Sequence, residues 1–268
     1  MAVTSNCTPG VHEGTFKGWP VRIQIPDTAV NAVRLPAVIV LHGGGDDGRF
    51  AAQQTQFGAL GQTKGFISVF PSAPNGEWPL NDRGTRRINS LAASLSCADA
   101  SRIYLTGFSR GSAMTFRVAC TAEPRRFAAF GGVAFPDYFR RCRAAVPAPV
   151  IYFHGLKDAT VSYTDGYRRA SGRTTPGAQE AMRWWAQHNG CRKGPQDTDI
   201  GTDVVRSRFA SCRKKAAVHF YTITDGDHQW PFRARPNAPL LSSGQSWASV
   251  GATEKTWQFF SARSLPRT

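Results

Sequence analysis

The sequence predicts an α/β fold, a mostly parallel central sheet with helices on both faces, on three observations. Strand-like and helix-like segments alternate along the chain. Stretches such as "AVIVL" and "VIYF" are apolar at every position, as strands buried on both faces are, whereas strands with one wet face alternate. The third is "YLTGFSRGSAMTFRVAC", residues 104–120, where an apolar strand runs through Gly107-Phe108-Ser109-Arg110-Gly111 straight into a helix-like stretch. Glycines two residues away on each side of a serine suit a sharp strand-to-helix turn, where neighbouring backbone leaves no room for a Cβ. Ser109 is expected at the strained, exposed tip of that turn.

In chain order, "WPVRIQIP" alternates as a strand, and "LPAVIVLHGGG" reads as a buried strand that stops at a glycine cluster. "GFISVFPSA" is the next strand. A polar loop containing "NGEWPLNDRGTRR" and a short helix near residues 87–96 lead into "RIYLTGF" and the helix after Ser109. "PVIYFHG" is a further buried strand, "PGAQEAMRWWAQHNGC" a helix with Pro near its start and Asn-Gly at its end, and "AVHFYTIT" a late strand. Residues 231–251 read as a loop before a terminal helix, "ATEKTWQFFSARSL". With no linker or repeat in view, residues 1–268 are expected to form a single catalytic domain.

Hydrophobic residues at 41% and charged residues at 19% exclude a disordered chain. No apolar run reaches the roughly 20 residues that a bilayer crossing needs, so no membrane role is expected. The opening "MAVTSNCTPG" lacks the basic and apolar regions of a signal peptide. Six cysteines, at positions 7, 97, 120, 142, 191 and 212, are dispersed without a C-x-x-C pair. That distribution argues against a zinc site and suits three disulfides, hence a mature secreted or periplasmic protein whose signal has been removed and an initiator Met1 added. The net charge of +15 is not gathered in one dense block, and short basic pairs such as Arg86-Arg87 and Lys214-Lys215 are scattered along the chain. No RNA-binding or zinc-finger signature accompanies them, so nucleic acid is not an expected partner.

Functional loops of a parallel sheet gather at the carboxyl ends of its strands, and four ends here carry chemistry. "VIVLHGGG" ends in His42-Gly43-Gly44-Gly45, bare glycines whose N–H groups can face a ligand; the second end is the Ser109 turn; "VIYFHGLKDATV" brings Asp158; and "FYTITDGDHQWP" brings His228. A serine hydroxyl needs an imidazole to take its proton and a carboxylate to hold that imidazole in the right tautomer. Ser109, Asp158 and His228 are therefore expected to act as nucleophile, orienting acid and general base. The N–H groups of Arg110 and Gly44 are expected to hold the oxyanion.

The remaining histidines fit other roles. His42 and His154 sit at strand ends where they brace loops, His188 is on a helix, His219 is inside a strand, and His12 is near the terminus. Asp225 and Asp227 are rivals to Asp158, but both share the short loop of His228. Trp230, Trp78 and Tyr163 fall on loops near the strand ends and are expected to wall an aromatic or sugar-bearing substrate. Six cysteines allow fifteen pairings. Cys191–Cys212 is the most readable, because one follows a helix end and the other precedes the next strand.

The motifs "LHGGG", "GFSRG", "HGLKDATVSY" and "GDHQWP", with "CADASRIYLTGFS" and "TEKTWQFF", resemble the secreted α/β-hydrolases that include feruloyl esterases, acetyl xylan esterases and poly(3-hydroxybutyrate) depolymerases. The resemblance runs from about residue 7 to residue 260. It implies an α/β-hydrolase fold, a cofactor-free Ser-His-Asp triad at Ser109, His228 and Asp158, cleavage of carboxylic esters, and no metal. It also implies Cys120–Cys142, with Cys7–Cys97 as the remaining pair. The expected substrate is a polysaccharide-linked or polymeric ester, a hydroxycinnamoyl ester of plant cell-wall sugars first, and the expected state a monomer. Two rivals are a polyester depolymerase with the same chemistry in another pocket, and a catalytically silent basic protein that docks on acidic polysaccharide.

Overall fold

The computed structural model describes residues 7–29, 34–121, 126–136, 142, 146–168, 172, 174–233 and 245–266. Six strands form the parallel centre: β3 (Leu35–Leu41), β4 (Ile67–Pro71), β5 (Ala98–Phe108), β6 (Ala129–Val133), β7 (Val150–Gly155) and β10 (Val218–Ile223). All residues of β3, β4, β6 and β7 are buried, which is why β3, β4 and β7 read as continuous apolar runs rather than alternating ones. Antiparallel strands extend both edges. On one side lie β1 (Gly10–Phe16) and β2 (Trp19–Ile25), on the other β9 (Val204–Ala210) and β8 (Lys193–Ile200), giving the order β1-β2-β4-β3-β5-β6-β7-β10-β9-β8.

Two apolar layers, one on each face of the sheet, make up most of the core. One gathers side chains from α3 (Asp82–Ser94), α4 (Arg110–Ala119) and α5 (Ala178–His188); the other gathers α1 (Gly48–Thr55), α2 (Phe57–Lys64) and α6 (Ala252–Ser261). Disulfides join Cys7 to Cys97, Cys120 to Cys142 and Cys191 to Cys212. The first ties the chain before β1 to the start of β5 across a separation of 90 residues, a long loop whose closure removes much unfolded-state entropy.

Two expectations about the elements need correction. The helix expected near residues 87–96 begins at Asp82, because Asn81 accepts a hydrogen bond from the Gly84 N–H and caps it inside the supposed loop. The segment 231–251 is not all loop: β11 (Trp230–Arg233) and β12 (Gln245–Ala248) pair in parallel, while residues 234–244 lie outside the described residues. Strands β6 and β8 gave no readable signal. β6 is "AFGGV", and a Cβ at Gly132 would fall 2.3 Å from Ser112 Oγ on α4, so close packing demands glycine where a strand reading expects bulk. β8, "KGPQDTDI", is exposed at seven of its eight positions and is held by pairing with β9 alone.

His219 on β10 carries a pH signature. Burial first, then Arg263, Arg208 and Arg206, push its imidazole down from 6.5 to about 3. As pH falls below about 6.5 the unfolded chain takes up a proton there that the folded protein refuses until about pH 3, so stability drains across that window. His219→Gln is expected to flatten the fall in Tm between about pH 6 and pH 4. Parallel Tm curves for the two proteins would contradict this.

Candidate active site

The Ser109 turn is built by exclusion. A Cβ on Gly107 would lie 2.4 Å from the Gly111 carbonyl carbon, and one on Gly111 would lie 2.4 Å from the Leu41 oxygen. Both are far inside contact distance, so β5 can bend into α4 beside β3 only with glycine at both places. Ser109 itself takes φ 49 and ψ −119, a region that costs a non-glycine residue about 1–3 kcal/mol and persists only where surrounding structure imposes it. Its N–H donates to the Val133 oxygen at 2.9 Å, which anchors the turn to the end of β6.

From this tip a hydrogen-bonded chain runs inward. His228 Nε2 lies 2.8 Å from Ser109 Oγ, and His228 Nδ1 lies 2.8 Å from Asp158 Oδ2. A carboxylate only accepts, so Nδ1 carries the proton and donates it, which leaves Nε2 of the neutral ring to accept from the serine hydroxyl. Asp158 is 4% exposed and saturated with donors. Its Oδ1 accepts from the N–H groups of Thr160 at 2.9 Å and Val161 at 2.8 Å, and Oδ2 also takes the Nε2–H of His154 at 3.2 Å. Burial by itself would raise this carboxyl; the bonds from His154 and His228 outweigh it and hold the group well below the usual carboxylate range.

His154, expected to brace a loop, does so around the acid. Its Nε2–H also donates to the Val161 oxygen at 2.8 Å, and Nδ1 accepts from Tyr152 Oη–H at 2.6 Å. The loops after β7 and β10 are locked together as well. Lys157 N–H donates to the Gly226 oxygen at 2.9 Å, and Lys157 Nζ pairs with Asp225 at 2.7 Å. These contacts dispose of the rival acids, since Asp225 points to Lys157 and Asp227 Oδ1 accepts from the backbone N–H of its neighbour His228.

The glycine loop after β3 is braced from a different direction. His42 is fully buried, and burial holds its imidazole below the ordinary range. Its Nδ1–H donates to the Gly43 oxygen at 2.6 Å, and its Nε2 accepts from the Ala73 N–H at 2.9 Å. Gly45 N–H donates to the Gly76 oxygen at 3.0 Å, and Trp78 Nε1–H to the His42 oxygen at 2.8 Å. Residues 73–78 thus form a buttress under Gly44. Glu77 adds a link to the nucleophile turn through an ion pair with Arg110 Nε, and a Cβ on Gly44 would sit 3.3 Å from Glu77 Oε1 and 3.5 Å from Arg110 Cδ. Gly44 and Arg110 are therefore neighbours across the mouth of the site, and Arg110 stands at the first turn of α4, where backbone N–H groups lack helical partners.

The three aromatics expected to wall a substrate do not do so. Trp230 is completely buried, donates Nε1–H to Thr253 Oγ1 at 3.0 Å and lies against Phe57. Trp78 is spent on the His42 brace and an edge contact with Trp19. Tyr163 is hydrogen-bonded to Thr222 and stacked on Phe220. Loop position in the sequence did not reveal that these rings turn back into the core. A small apolar cluster not expected from the sequence joins the elements of the site instead: Ala113 one turn further along α4, whose N–H donates to the Ser109 carbonyl oxygen at 3.0 Å, Val161 in the Asp158 loop, Phe135 just beyond β6, and Leu80. Phe135 meets Tyr167 with ring centroids 5.4 Å apart, and Tyr167 is 39% exposed.

The arrangement suits acyl transfer: a hydroxyl on a base, the base on a buried carboxylate, and backbone N–H groups at a braced glycine loop and a helix start. No family model matches the chain. Among curated proteins, it is 29% identical over 156 residues to "Feruloyl esterase B" of Piromyces equi, covering 54% of this chain and 28% of that protein. It is 27% identical over 184 residues to "Acetylxylan esterase A" of Emericella nidulans, covering 62% of this chain and 57% of that one. The chain thus spans less than two thirds of the length of either relative. Among solved structures, "Acetyl xylan esterase from Aspergillus awamori" superposes with a TM-score of 0.66 at 16% identity, covering 94% of this chain and 99% of that chain. The fold is the α/β-hydrolase fold, and the relatives are the feruloyl and acetylxylan esterases that the sequence motifs resemble.

Proposed function

We propose that this protein is a serine carboxylic-ester hydrolase of plant cell-wall esters, with a hydroxycinnamoyl ester as its leading substrate. The observation that carries the reading is the chain of two 2.8 Å hydrogen bonds from Ser109 through His228 to Asp158. Feruloyl and acetylxylan esterases among its relatives support the substrate class.

In this mechanism Ser109 Oγ attacks the ester carbonyl carbon while His228 Nε2 takes the hydroxyl proton. Asp158 stabilises the imidazolium that forms and keeps Nδ1 as donor. The N–H groups of Gly44 and Arg110 receive the oxyanion. His228 then returns the proton to the departing alcohol, leaving an acyl-serine. Water, deprotonated by the same imidazole, attacks the acyl carbon and releases the acid. The whole cycle uses side chains and backbone of this chain, taken as one catalytic domain over residues 1–268. Half-buried Leu80 and exposed Tyr167 replace the buried aromatics as the acyl-side wall, over a buried floor of Ala113, Phe135 and Val161. The three disulfides suit a secreted protein.

Glu77 is a positioning residue in this scheme, since it ties the buttress of one oxyanion donor to the residue that carries the other. Both side chains are more than a third exposed, so the pair adds little stability. Glu77→Gln is expected to lower kcat about three- to tenfold with KM and Tm nearly unchanged, a loss confined to the transition state. A change in KM alone would assign Glu77 to substrate binding instead.

The reading is tested by hydrolysis of methyl ferulate, acetylated xylan, p-nitrophenyl butyrate and a polyhydroxybutyrate emulsion at neutral pH. Ferulate turnover supports the hydroxycinnamoyl assignment. Clearing of the polymer with butyrate cleavage and no ferulate turnover moves the protein to the depolymerase reading, and no turnover of any ester overturns the esterase reading.

A further inference from the structure

Three arginines gather at the end of the sheet remote from Ser109. On β9, Arg206 and Arg208 are two residues apart and share a face. Arg208 is registered with His219 of β10 and Gln196 of β8, and Arg206 with Tyr221 and Thr198. Tyr221 belongs to the apolar layer beneath α6, so this is the α6 side of the sheet. Arg263, just past the end of α6, lays its guanidinium over the Phe259 ring, and Phe259 in turn meets the His219 ring at 4.9 Å. All three cations act on His219.

None of the three forms an ion pair with a carboxylate among the described residues. The acids of β8, Asp197 and Asp199, alternate to the opposite face, where Asp197 accepts from Ser207 Oγ at 2.6 Å. The Nε atoms of Arg206 and Arg263 are buried and lack a hydrogen-bond partner, although a buried guanidinium donor is costly to leave unmade. Burial and the nearby Arg208 pull Arg263 down to about 10. The cluster remains open to a ligand, with Arg208 exposed and Arg206 and Arg263 half-buried.

We propose that Arg206, Arg208 and Arg263 form an exosite for carboxylate groups, and that it holds acidic, uronate-bearing polysaccharide on the protein. Guanidinium groups bind carboxylates in paired, planar hydrogen bonds. Two of them about 7 Å apart along one strand suit a polymer that presents carboxylates repeatedly. In the same rows Thr198 Oγ1 accepts from Arg206 Nη2 at 3.4 Å, and Gln196 adds an amide that can meet sugar hydroxyls. The choice of a polysaccharide rests on the proposed cell-wall ester function; the anion site itself rests on three arginines that pair with no carboxylate among the described residues. Holding the matrix at this end would keep the catalytic end at high local ester concentration without using any residue of the site.

The test is affinity electrophoresis in gels containing polygalacturonate, comparing the wild-type protein with R206Q/R208Q and with a control of equal charge loss on exposed positions elsewhere, K64Q/R183Q. Methyl ferulate and p-nitrophenyl butyrate turnover is measured on all three. Expected is binding about tenfold weaker in R206Q/R208Q and within about twofold of wild type in the control, with small-ester turnover unchanged in both. Equal weakening in both double variants would reduce the effect to net charge and overturn the site. Duplex DNA competing as well as polygalacturonate at equal charge would overturn the polysaccharide assignment. Should the double variant not fold, R208Q, at an exposed position, carries the same comparison. Binding is read without turnover, so absence of esterase activity would leave the anion-site result standing and count against the proposed function alone.

Discussion

Ser109→Ala is expected to lower ester hydrolysis by about five orders of magnitude while Tm stays within about 3 °C of the parent, because the hydroxyl is the attacking group and only one small atom leaves the turn. The backbone of the turn is held by Gly107, Gly111 and the bond from Ser109 N–H to Val133, none of which involves Oγ. The residual rate expected is that of the oxyanion donors and substrate binding alone. A serine-directed phosphonate should label the parent stoichiometrically and leave the variant untouched. Turnover retained by a folded Ser109→Ala protein would remove Ser109 as nucleophile.

Asp158→Asn is expected to produce the second largest effect, about a 10⁴-fold fall in kcat. Asp158 receives donors on both oxygens: two backbone N–H groups on Oδ1 and two imidazoles on Oδ2. An amide has one oxygen and one NH2 group, so whichever way it turns a donor meets a donor. With the oxygen on the backbone pair, the NH2 group faces His228 Nδ1 and drives the proton to Nε2, the atom that must accept from Ser109. With the oxygen on the imidazoles, the loop at Thr160 and Val161 loses its anchor. Either outcome also costs about 2–4 kcal/mol of stability, since buried donors are left unmade. The measurements are kcat with a small ester and thermal melting of the same preparation. Near-wild-type kcat in a folded Asp158→Asn protein would show that this carboxylate does not orient His228.

Some of this site is legible from residues alone and some is not. The Ser109 turn is legible because a steric requirement wrote itself as glycines at 107 and 111. Asp158 and His228 are legible as late, loop-borne groups after apolar strands, and the structure brings them into line with Ser109. His154 as a second donor to the same carboxylate is not legible, since nothing in "FHGLKD" says that a ring four residues upstream turns toward Asp158. The Glu77–Arg110 link joins residues 33 positions apart and has no local signal either. Trp78, Trp230 and Tyr163 mark the opposite failure. A ring on a loop near a strand end has the right address for a substrate wall, but whether it faces solvent or core depends on neighbours such as Thr253 and Phe220 that arrive from distant segments.

By itself the sequence determined what short-range stereochemistry and burial impose: continuous apolar strands for a parallel sheet, the glycine-flanked serine turn, and the chain order of serine, acid and histidine. These are properties a residue carries with its immediate neighbours. Only the tertiary structure decided which acid meets His228, which loop braces Gly44, which aromatics are buried, and that three arginines from β9 and the end of α6 gather with no ion pair to a carboxylate among the described residues. Those outcomes depend on strand register and on helices arriving from far along the chain, where one residue of slip reverses a side chain's face.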